Sequence, residues 1–302
     1  MRVTVIGAGA LGTYFAARLA ACGTEVSVVA RGARLAAIRT DGLRLTTAEV
    51  TTVLPVPATA DPRELPVPDL AVIAVKTQAL AEAIVLLAPL ASPRLAVLTL
   101  QNGVEAPDLV AEALRGVQVL AGRVHGFFER KGDTVRHLGV APALAFGALT
   151  PWAEPAAARL AETLAAAGIA FTRPADMAAA LWEKLVLASS LGGLGAALEM
   201  PVGAIRDNPA HAATLTAAME EVAAVARARG VALPADCVAR TLAFVGGFPA
   251  EATTSLHRDL AARRPSEFDH LTGAVPRLAA AVRVPVPVHT RIIAQLAAHG
   301  MI

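Results

Sequence analysis

A β-prone run near the N-terminus, residues 3–6, leads directly into three glycines with the spacing G-x-G-x-x-G, and a segment of helical character follows over residues 13–21. In nucleotide-binding α/β folds the first glycine permits a tight turn, the second lets the backbone approach a pyrophosphate, and the third lets the helix pack closely on the strand. The spacing alone is weak evidence, but a strand before it and a helix after it strengthen the prediction. We therefore expect a dinucleotide to contact Gly7, Ala8, Gly9, Ala10, Leu11 and Gly12.

The residue that follows the second predicted strand, residues 25–30, indicates which dinucleotide is bound. NAD-binding folds usually place an acidic residue there, about 20 residues after the glycines, to accept a hydrogen bond from the ribose 2′-hydroxyl. Here Arg31 stands at that position and Arg34 follows closely. A guanidinium pairs with a 2′-phosphate, which a carboxylate would repel, so the sequence favours NADP (NADPH) as the cofactor. The alternative is that both arginines are solvated loop residues.

Two further apolar strands end in polar residues. The run over residues 69–75 leads into Lys76, Thr77 and Gln78, and the run over residues 94–100 ends in Gln101-Asn102-Gly103. Ligands bind beyond the carboxyl ends of the strands in open α/β sheets, so both polar clusters are expected at the ligand-binding edge. For each cluster an ordinary loop turn is the alternative, because Asn-Gly is a common turn pair.

The pattern of elements changes in the middle of the chain. Residues 117–171 contain short β-prone pieces and a helical stretch at 154–167, which predict extra strands that complete the sheet. After Pro174 the strand signals end. The predicted fold class is α/β, with an N-terminal Rossmann-type doubly wound sheet over residues 1–174 and an all-α C-terminal domain over residues 175–302. The helices predicted there cover residues 177–191, 209–229, 234–244, 267–282 (kinked or split at Pro276) and 290–299.

Composition narrows the class of protein. Hydrophobic residues are 55% and charged residues 17% of the 302 positions, and much of the excess is alanine, which suits packed helices. Charges or prolines interrupt every long apolar run, so we expect no membrane partner. The net charge of +2, without basic clusters among aromatics, argues against nucleic acid. The apolar N-terminus could pass for a signal peptide, but the glycine spacing argues against that.

The cysteines indicate the compartment. Cys22 and Cys237 lie far apart in the sequence, and neither has the Cys or His neighbours of a metal site. Two unpaired thiols are typical of a reducing environment. We therefore expect a cytoplasmic protein that holds no metal.

Several motifs, taken in order, resemble the ketopantoate reductase family, the 2-dehydropantoate 2-reductases. The resemblance covers essentially the whole chain, and its later motifs are more specific than the glycine pattern. The family reduces the keto group of 2-dehydropantoate with NADPH, and its members commonly form dimers through the helical domain, which would also bind substrate. The motifs are G-A-G-A-x-G at 7–12, Arg31, Val75-Lys76, L-Q-N-G-V at 100–104, L-W-E-K-L at 181–185, T-S-L-H-R-D at 254–259 and S-E-F-D-H-L-T-G at 266–273.

The resemblance implies that Lys184 is the catalytic general acid and that Glu267 is the acidic partner that orients it. An ammonium suits this role, because it can stabilise the negative charge that develops on a carbonyl oxygen and then protonate it. Taken alone, a lysine beside tryptophan and leucine has a simpler explanation, in which its stem covers apolar surface while its ammonium reaches water.

The resemblance also implies binding roles for four polar residues. Asn102 matches the asparagine near the nicotinamide end of the cofactor and the substrate, and Lys76, with Gln78 beside it, matches a lysine that contacts cofactor. Ser255 matches the serine that contacts the substrate carboxylate. From the residues alone, the run Thr253-Thr254-Ser255 could instead cap the next helix.

The chain departs from the family one and two helical turns after Lys184. Members typically carry asparagines that reach the substrate at these two positions, where this chain has Ala188 and Gly192. A buried hydroxyl that loses its partner costs about 1–3 kcal/mol. Three functions therefore remain open: ketopantoate reduction, reduction of another 2-oxo acid, ketone or imine, which could be a bulkier substrate that fills the room left there, and cofactor binding without turnover.

Overall fold

The chain folds into two compact units. The computed structural model describes the backbone of all 302 residues and the side chains of all except Phe127 and residues 139–141. The first unit comprises Met1–Gln101 and Glu105–Met177, and the second comprises Asn102–Val104 and Ala178–Ile302. Each unit has its own hydrophobic core.

The first unit is built on one mixed sheet. Its order is β4-β3-β9-β8-β7-β6-β1-β2-β5, with β10 paired to β9. The neighbours from β8 through β7, β6, β1 and β2 to β5 all run parallel. The strands are β1 (Arg2–Ile6), β2 (Glu25–Val29), β3 (Leu43–Thr47), β4 (Val50–Leu54), β5 (Ala58–Thr59), β6 (Leu70–Ile73), β7 (Ala96–Thr99), β8 (Gln118–Lys131), β9 (Thr134–Ala148) and β10 (Ala170–Thr172).

Helices cover both faces of the parallel part of this sheet. Parallel strands covered on both faces read as continuous apolar runs, and β6 and β7 are accordingly buried at every position. One face packs on α1 and α5, and the other packs on α3 and α4. The helices of this unit are α1 (Ala10–Ala21), α2 (Gly32–Asp41), α3 (Leu80–Leu87), α4 (Ala106–Ala113) and α5 (Glu154–Ala166). The prediction of a doubly wound sheet is thus confirmed.

Two antiparallel hairpins extend the sheet beyond its parallel core. The expected extra strands after residue 117 are present as the long hairpin of β8 and β9, and β10 adds to its far side. The other hairpin, β3 with β4, was not predicted, and it forms the edge of the sheet. Every residue of β4 except its last is exposed, so this strand lacks the apolar run by which buried strands are recognised.

The second unit is all-helical, and the structure contains no strand between residues 178 and 302. Its core surrounds α8, whose Leu215, Met219 and Val222 are almost completely buried. The helices of this unit are α6 (Met177–Leu198), α7 (Val202–Arg206), α8 (Pro209–Ala228), α9 (Cys237–Gly246), α10 (Ser255–Ala261), α11 (Ala274–Ala280) and α12 (Pro287–Ala298). The all-α prediction for this region is confirmed.

Helix α6 carries Lys184. It continues past the predicted end at residue 191, although glycines usually weaken a helix. The reason is close packing: a Cβ atom at Gly193 would lie 2.6 Å from the side chain of Thr272. By length and composition α6 could cross a membrane, but 72% of its apolar window is buried inside the protein.

The predicted helix over residues 267–282 is wrong in its first half. Residues Phe268–His270 form a single 3₁₀ turn, and α11 begins only at Ala274. Pro276 therefore lies in the first turn of α11, where its missing N–H removes no helical hydrogen bond, and it neither kinks nor splits the helix.

Candidate active site

The turn between β1 and α1 has the geometry that its glycines predict. Gly7 adopts φ +102°, and a Cβ atom there would lie 2.6 Å from Val75 Cγ1. At Gly12 a Cβ atom would lie 1.9 Å from the carbonyl oxygen of Gly7, so no other residue fits. At Gly9 a Cβ atom would meet nothing within 4 Å. The backbone at Gly9, the N-cap of α1, therefore faces open space, as a turn that receives a pyrophosphate must.

A cleft of about 290 Å³ lies in front of this turn. Its walls come from the carboxyl ends of β1 and β2 and from α3, which is the edge where open α/β sheets bind ligands. Among the lining residues, all of which the structure describes, the charged ones are Arg31, Arg34, Arg130 and Glu82. The excess of positive charge suits a ligand with several phosphates.

The two arginines after β2 differ in how their guanidinium groups are used. The Arg31 side chain is 52% exposed and forms an ion pair with Glu82 of α3. The Arg34 side chain is only 12% exposed and donates to the carbonyl oxygen of Ala8 at 3.1 Å and to Thr13 Oγ1 at 3.0 Å. Arg34 thus braces the glycine turn from inside the unit, whereas the Arg31 guanidinium lies at the exposed surface of the cleft.

Burial lowers the pKa of the Arg34 guanidinium, while the nearby Asp133 carboxylate raises it and the positive charge of Arg130 lowers it again. An arginine keeps its charge in proteins despite such a shift. Arg34 also donates to the backbone oxygen of Asp133 at 2.9 Å, so the guanidinium ties the glycine turn to the β8–β9 hairpin.

The turn after β6 forms a further part of this edge. Lys76 and Gln78 are exposed there, next to the lining residues Val75 and Ala79. The buried side chain of Gln101 donates to the carbonyl oxygens of Ile73 at 2.9 Å and Val75 at 3.0 Å. Gln101 therefore fixes the path of the backbone that carries Lys76 and Gln78.

In the second unit, three predicted site residues meet in one hydrogen-bonded chain. Lys184 Nζ donates to Asn102 Oδ1 at 2.8 Å, and Asn102 Nδ2 donates to Glu267 Oε2 at 2.6 Å. All three side chains are partly buried. The arrangement leaves one orientation for the amide of Asn102, because a flipped amide would point its NH₂ group at the ammonium and its oxygen at the carboxylate.

The backbone around Asn102 is shaped to hold it in this position. Gly103 adopts φ +90°, and a Cβ atom there would lie 2.7 Å from the carbonyl oxygen of His270. His270 N in turn donates to the carbonyl oxygen of Glu267 at 3.1 Å, so the two segments that carry Asn102 and Glu267 pack directly on each other. A positive φ and a close contact together restrict position 103 to glycine.

Ser255 is the first residue of α10 and is exposed. Its neighbour Thr254 is the N-cap, and Thr254 Oγ1 accepts a hydrogen bond from the backbone N–H of His257 at 3.1 Å. The alternative interpretation of the Thr-Thr-Ser run as a helix cap is therefore correct for Thr254. The role of Ser255 toward a substrate carboxylate stays a prediction.

The two positions where the chain departs from the family are not equivalent. Ala188 lies one turn after Lys184 and is partly buried. Gly192 is buried, and a Cβ atom there would lie 3.1 Å from Leu256 Cδ2 and 3.3 Å from Thr254 Oγ1. The expectation that both positions leave room for a bulky substrate is therefore wrong at Gly192, where α10 fills the space.

Two residues of these sites had no assigned role in the sequence interpretation, Glu82 and the buried side chain of Gln101. Glu82 lies on a helix with the apolar pattern of any surface helix, so nothing in the sequence singles it out. Gln101 was noted only as part of a polar cluster, although a glutamine at the end of a buried strand is a recognisable candidate for a backbone-bracing side chain. Among the residues that the structure describes, no group of three His, Cys, Asp or Glu could hold a metal ion.

Comparison with known proteins covers both units. Residues 3–151 match the family model described as Ketopantoate reductase PanE/ApbA. Residues 176–300 match the model described as Ketopantoate reductase PanE/ApbA C terminal.

Individual relatives match over almost their whole length. The chain is 32% identical to a 2-dehydropantoate 2-reductase of Mesorhizobium japonicum, over 97% of this chain and 96% of the relative. It is 31% identical to a 2-dehydropantoate 2-reductase of Halobacterium salinarum, over 95% of each chain. Among solved structures, a PanE/ApbA family ketopantoate reductase of Ralstonia eutropha JMP134 superposes with a TM-score of 0.87 at 34% identity, covering 98% of this chain and 97% of that one.

Proposed function

This chain belongs to the ketopantoate reductase family and is an oxidoreductase that acts on CH–OH groups, and we propose that it uses NADPH to reduce the carbonyl of a 2-oxo acid. The first candidate reaction is the conversion of 2-dehydropantoate to pantoate, with Lys184 as the general acid. The relatives that match the whole chain carry the name of this activity.

The observation that carries the proposal is the chain of hydrogen bonds from Lys184 through Asn102 to Glu267. A surface lysine whose ammonium simply reaches water has no need of a partner with one fixed orientation. Here a carboxylate orients an amide, and the amide oxygen orients the ammonium. Such preorganised donors lower the barrier to reactions in which negative charge develops on oxygen.

Lys184, Asn102 and Glu267 have different roles in the proposed reaction. When bound, the nicotinamide cofactor supplies the hydride that the carbonyl carbon receives. The π electrons of the carbonyl move to its oxygen, where Lys184 Nζ stabilises the developing negative charge and donates its proton. Lys184 is left as a neutral amine and regains a proton from solvent. Before the transfer, Asn102 and Glu267 hold the Lys184 ammonium in place.

The residues of the first unit fit a nicotinamide dinucleotide. The open backbone at Gly9 and the N-terminus of α1 suit the pyrophosphate, and the exposed guanidinium of Arg31 suits a 2′-phosphate. Lys76 and Gln78 are exposed on the neighbouring turn and are proposed to contact the cofactor. Asn102 is proposed to contact both the nicotinamide end and the substrate, and Ser255 the substrate carboxylate.

A second candidate function follows from the face of α6 beyond Lys184. Ala188 offers no hydrogen bond, and Leu256 covers Gly192, so two groups that could bind a hydroxyl are absent from this face. Binding sites reject substrates whose polar groups they leave unpaired. The substrate would then be a 2-oxo acid, ketone or imine that lacks the hydroxyl of 2-dehydropantoate.

The experiment that separates these functions is NADPH oxidation with 2-dehydropantoate and with matched 2-oxo acids that lack its hydroxyl group. A kcat/KM for 2-dehydropantoate above about 10⁴ M⁻¹s⁻¹ supports the first candidate. Poor turnover of 2-dehydropantoate with efficient turnover of an unhydroxylated substrate supports the second. Tight NADPH binding without oxidation by any of these substrates contradicts both and leaves a cofactor-binding protein without turnover.

We also propose that the protein is cytoplasmic and that it forms a homodimer. Cys22 and Cys237 are both free thiols, which a reducing cytoplasm maintains. A homodimer formed through the helical unit is proposed, and the exposed ring of Phe244 on α9, which contacts Phe248, is an apolar surface there that an interface could cover. Light scattering of the purified protein measures the mass directly, and a monomer would contradict the dimer.

A further inference from the structure

The carboxylate of Glu82 stands in the cofactor cleft directly beside Arg31. Arg31 follows β2, and Glu82 lies in the first turn of α3. Both residues line the cleft, and Arg31 Nη1 is hydrogen bonded to Glu82 Oε1. Among the lining residues, whose side chains the structure describes in full, Glu82 is the only acidic one. The group proposed to bind a 2′-phosphate is thus already paired with a carboxylate.

This ion pair can open when a ligand arrives. The side chains of Arg31 and Glu82 are 52% and 60% exposed, and ion pairs at that exposure contribute little to stability. A 2′-phosphate, with more charge and three acceptor oxygens, can therefore take the place of Glu82 as the partner of Arg31. The displaced carboxylate would remain close to the phosphate, and the two negative charges would repel each other.

The same carboxylate has the opposite effect on a cofactor without the phosphate. NAD-binding folds use an acidic residue after the second strand to accept a hydrogen bond from the ribose 2′-hydroxyl. Here that position holds Arg31, but Glu82 brings a carboxylate to the guanidinium of Arg31 from the neighbouring helix. With NADH bound, the pair can stay closed while a second lone pair of the carboxylate accepts the 2′-hydroxyl proton.

We propose that Glu82 is a specificity-determining residue of this cleft, which weakens NADPH binding and supports NADH binding, so that the protein accepts both cofactors. Arg31 favours NADPH because it pairs with the 2′-phosphate, and Glu82 reduces this preference for NADPH over NADH. The inference rests on the proposed function, because it assumes that a nicotinamide dinucleotide binds in this cleft.

The test is the dissociation constant of each reduced cofactor, measured from the change in nicotinamide fluorescence on binding, with no substrate present. Glu82→Gln keeps the size and hydrogen-bonding atoms of the side chain but removes its charge. We expect it to lower the Kd for NADPH by about 3–10-fold and to raise the Kd for NADH by a similar factor. Arg31→Gln should weaken NADPH and leave NADH within a small factor of wild type.

A matched variant controls for net charge. Glu112→Gln on α4 removes the same charge from an exposed position that does not line the cleft, and it should leave both dissociation constants unchanged. Adenosine 2′,5′-bisphosphate and 5′-AMP serve as fragments that isolate the 2′ position, and Glu82→Gln should tighten only the former. Equal changes for the two fragments would overturn the proposal.

The outcome also separates this inference from the function on which it rests. If Arg31→Gln changes the ratio of the NADPH and NADH constants but Glu82→Gln does not, the inference about Glu82 is wrong and the NADP assignment survives. If neither cofactor binds the wild-type protein, the proposed cofactor and the inference both fail. Thermal unfolding of Glu82→Gln, and Glu82→Ala as a second variant, show whether any loss of binding reflects loss of folding.

Discussion

The glycine turn lies within residues 7–12, whereas the Lys184 site joins residues that are 82 and 165 positions apart in the sequence. In the turn, the proposed cofactor binding depends on the missing side chains, because the backbone would have to bend and come close to the ligand without a Cβ atom in the way. In the Lys184 site, the proposed proton transfer depends on three polar side chains that hold each other in place.

This difference decides how each region responds to substitution. The turn is limited by the space around its backbone. A single added methyl group should therefore either destabilise the fold or hinder ligand binding, according to where it points. The Lys184 site depends on charge and hydrogen bonding. Substitutions of similar size there should therefore leave folding intact and alter the reaction rate.

The largest effect is expected at Gly12. Gly12→Ala would place a Cβ atom 1.9 Å from a backbone oxygen, which should destabilise the first unit by about 3 kcal/mol or more. Gly9→Ala is its matched control, since the added methyl group meets no protein atom within 4 Å. Gly9→Ala should fold normally and bind NADPH more weakly. Thermal unfolding and NADPH titration of both variants check this, and equal melting temperatures for the two would contradict the account of the turn.

At Asn102 the expected effect is on rate. Asn102→Ala removes the amide that links Lys184 to Glu267, and kcat/KM should fall by about 10–100-fold while NADPH still binds. The control is Asn208→Ala, which removes an asparagine that caps α8 in the same unit and should lower only the melting temperature. Steady-state kinetics of both variants measure this, and a lower kcat/KM for Asn208→Ala than for Asn102→Ala would contradict the role of Asn102.

At Ala188 the expected effect is on the choice of substrate. Ala188→Asn adds a hydrogen-bonding group one turn after Lys184, and it should raise kcat/KM for 2-dehydropantoate by about 10-fold relative to a 2-oxo acid without the hydroxyl. Ala178→Asn makes the same change at an exposed position of α6 and should alter neither value. An unchanged ratio for Ala188→Asn would remove this position from substrate selection.

A second carboxylate of the helical unit, that of Glu221, stabilises the fold. Glu221 accepts hydrogen bonds from Val288 N at 2.6 Å, His289 N at 2.9 Å and the ring of His289 at 2.8 Å. Burial raises the pKa of Glu221, but the bonds from the His289 ring and the two backbone N–H groups outweigh it, so the pKa lies below its ordinary value of 4.5.

A lowered folded-state pKa means that Glu221 contributes stability above pH 4.5 and loses it as the pH falls through the lowered value. Glu221→Gln should therefore reduce the free energy of unfolding at neutral pH by about 1–3 kcal/mol and flatten its fall in acid. Urea unfolding across this pH range measures both, with the exposed Glu220→Gln as control. An identical acid profile for Glu221→Gln and wild type would contradict this role.

The sequence predicts structure well where the constraints are local, as in the glycine turn, and less well where distant segments meet, as in the Lys184 site. The strand, turn and helix around Gly7 were predictable because their constraints are local. The β3–β4 hairpin was not, since its edge strand β4 has no buried face to leave an apolar pattern. The helix around Glu267 was predicted too long, because apolar spacing continues through a 3₁₀ turn that only tertiary packing defines.

The candidate site was predictable only in part, because its residues come from distant segments. The motif resemblance supplied Lys184, Asn102 and Glu267, but not that Asn102 lies between the other two. Gly192 seemed to leave space because the sequence does not show that Leu256 packs against it. The pairing of Arg31 with Glu82 was equally hidden, since it joins a loop and a helix that are 51 positions apart.

Single-turnover oxidation of enzyme-bound NADPH by a saturating 2-oxo acid is the measurement that shows whether Lys184 donates the proton. For Lys184→Ala we expect the oxidation rate to fall by about 10²–10⁴-fold, with NADPH affinity retained. Oxidation at the wild-type rate in that variant would exclude Lys184 as the proton donor and leave it as a lysine that merely covers apolar surface.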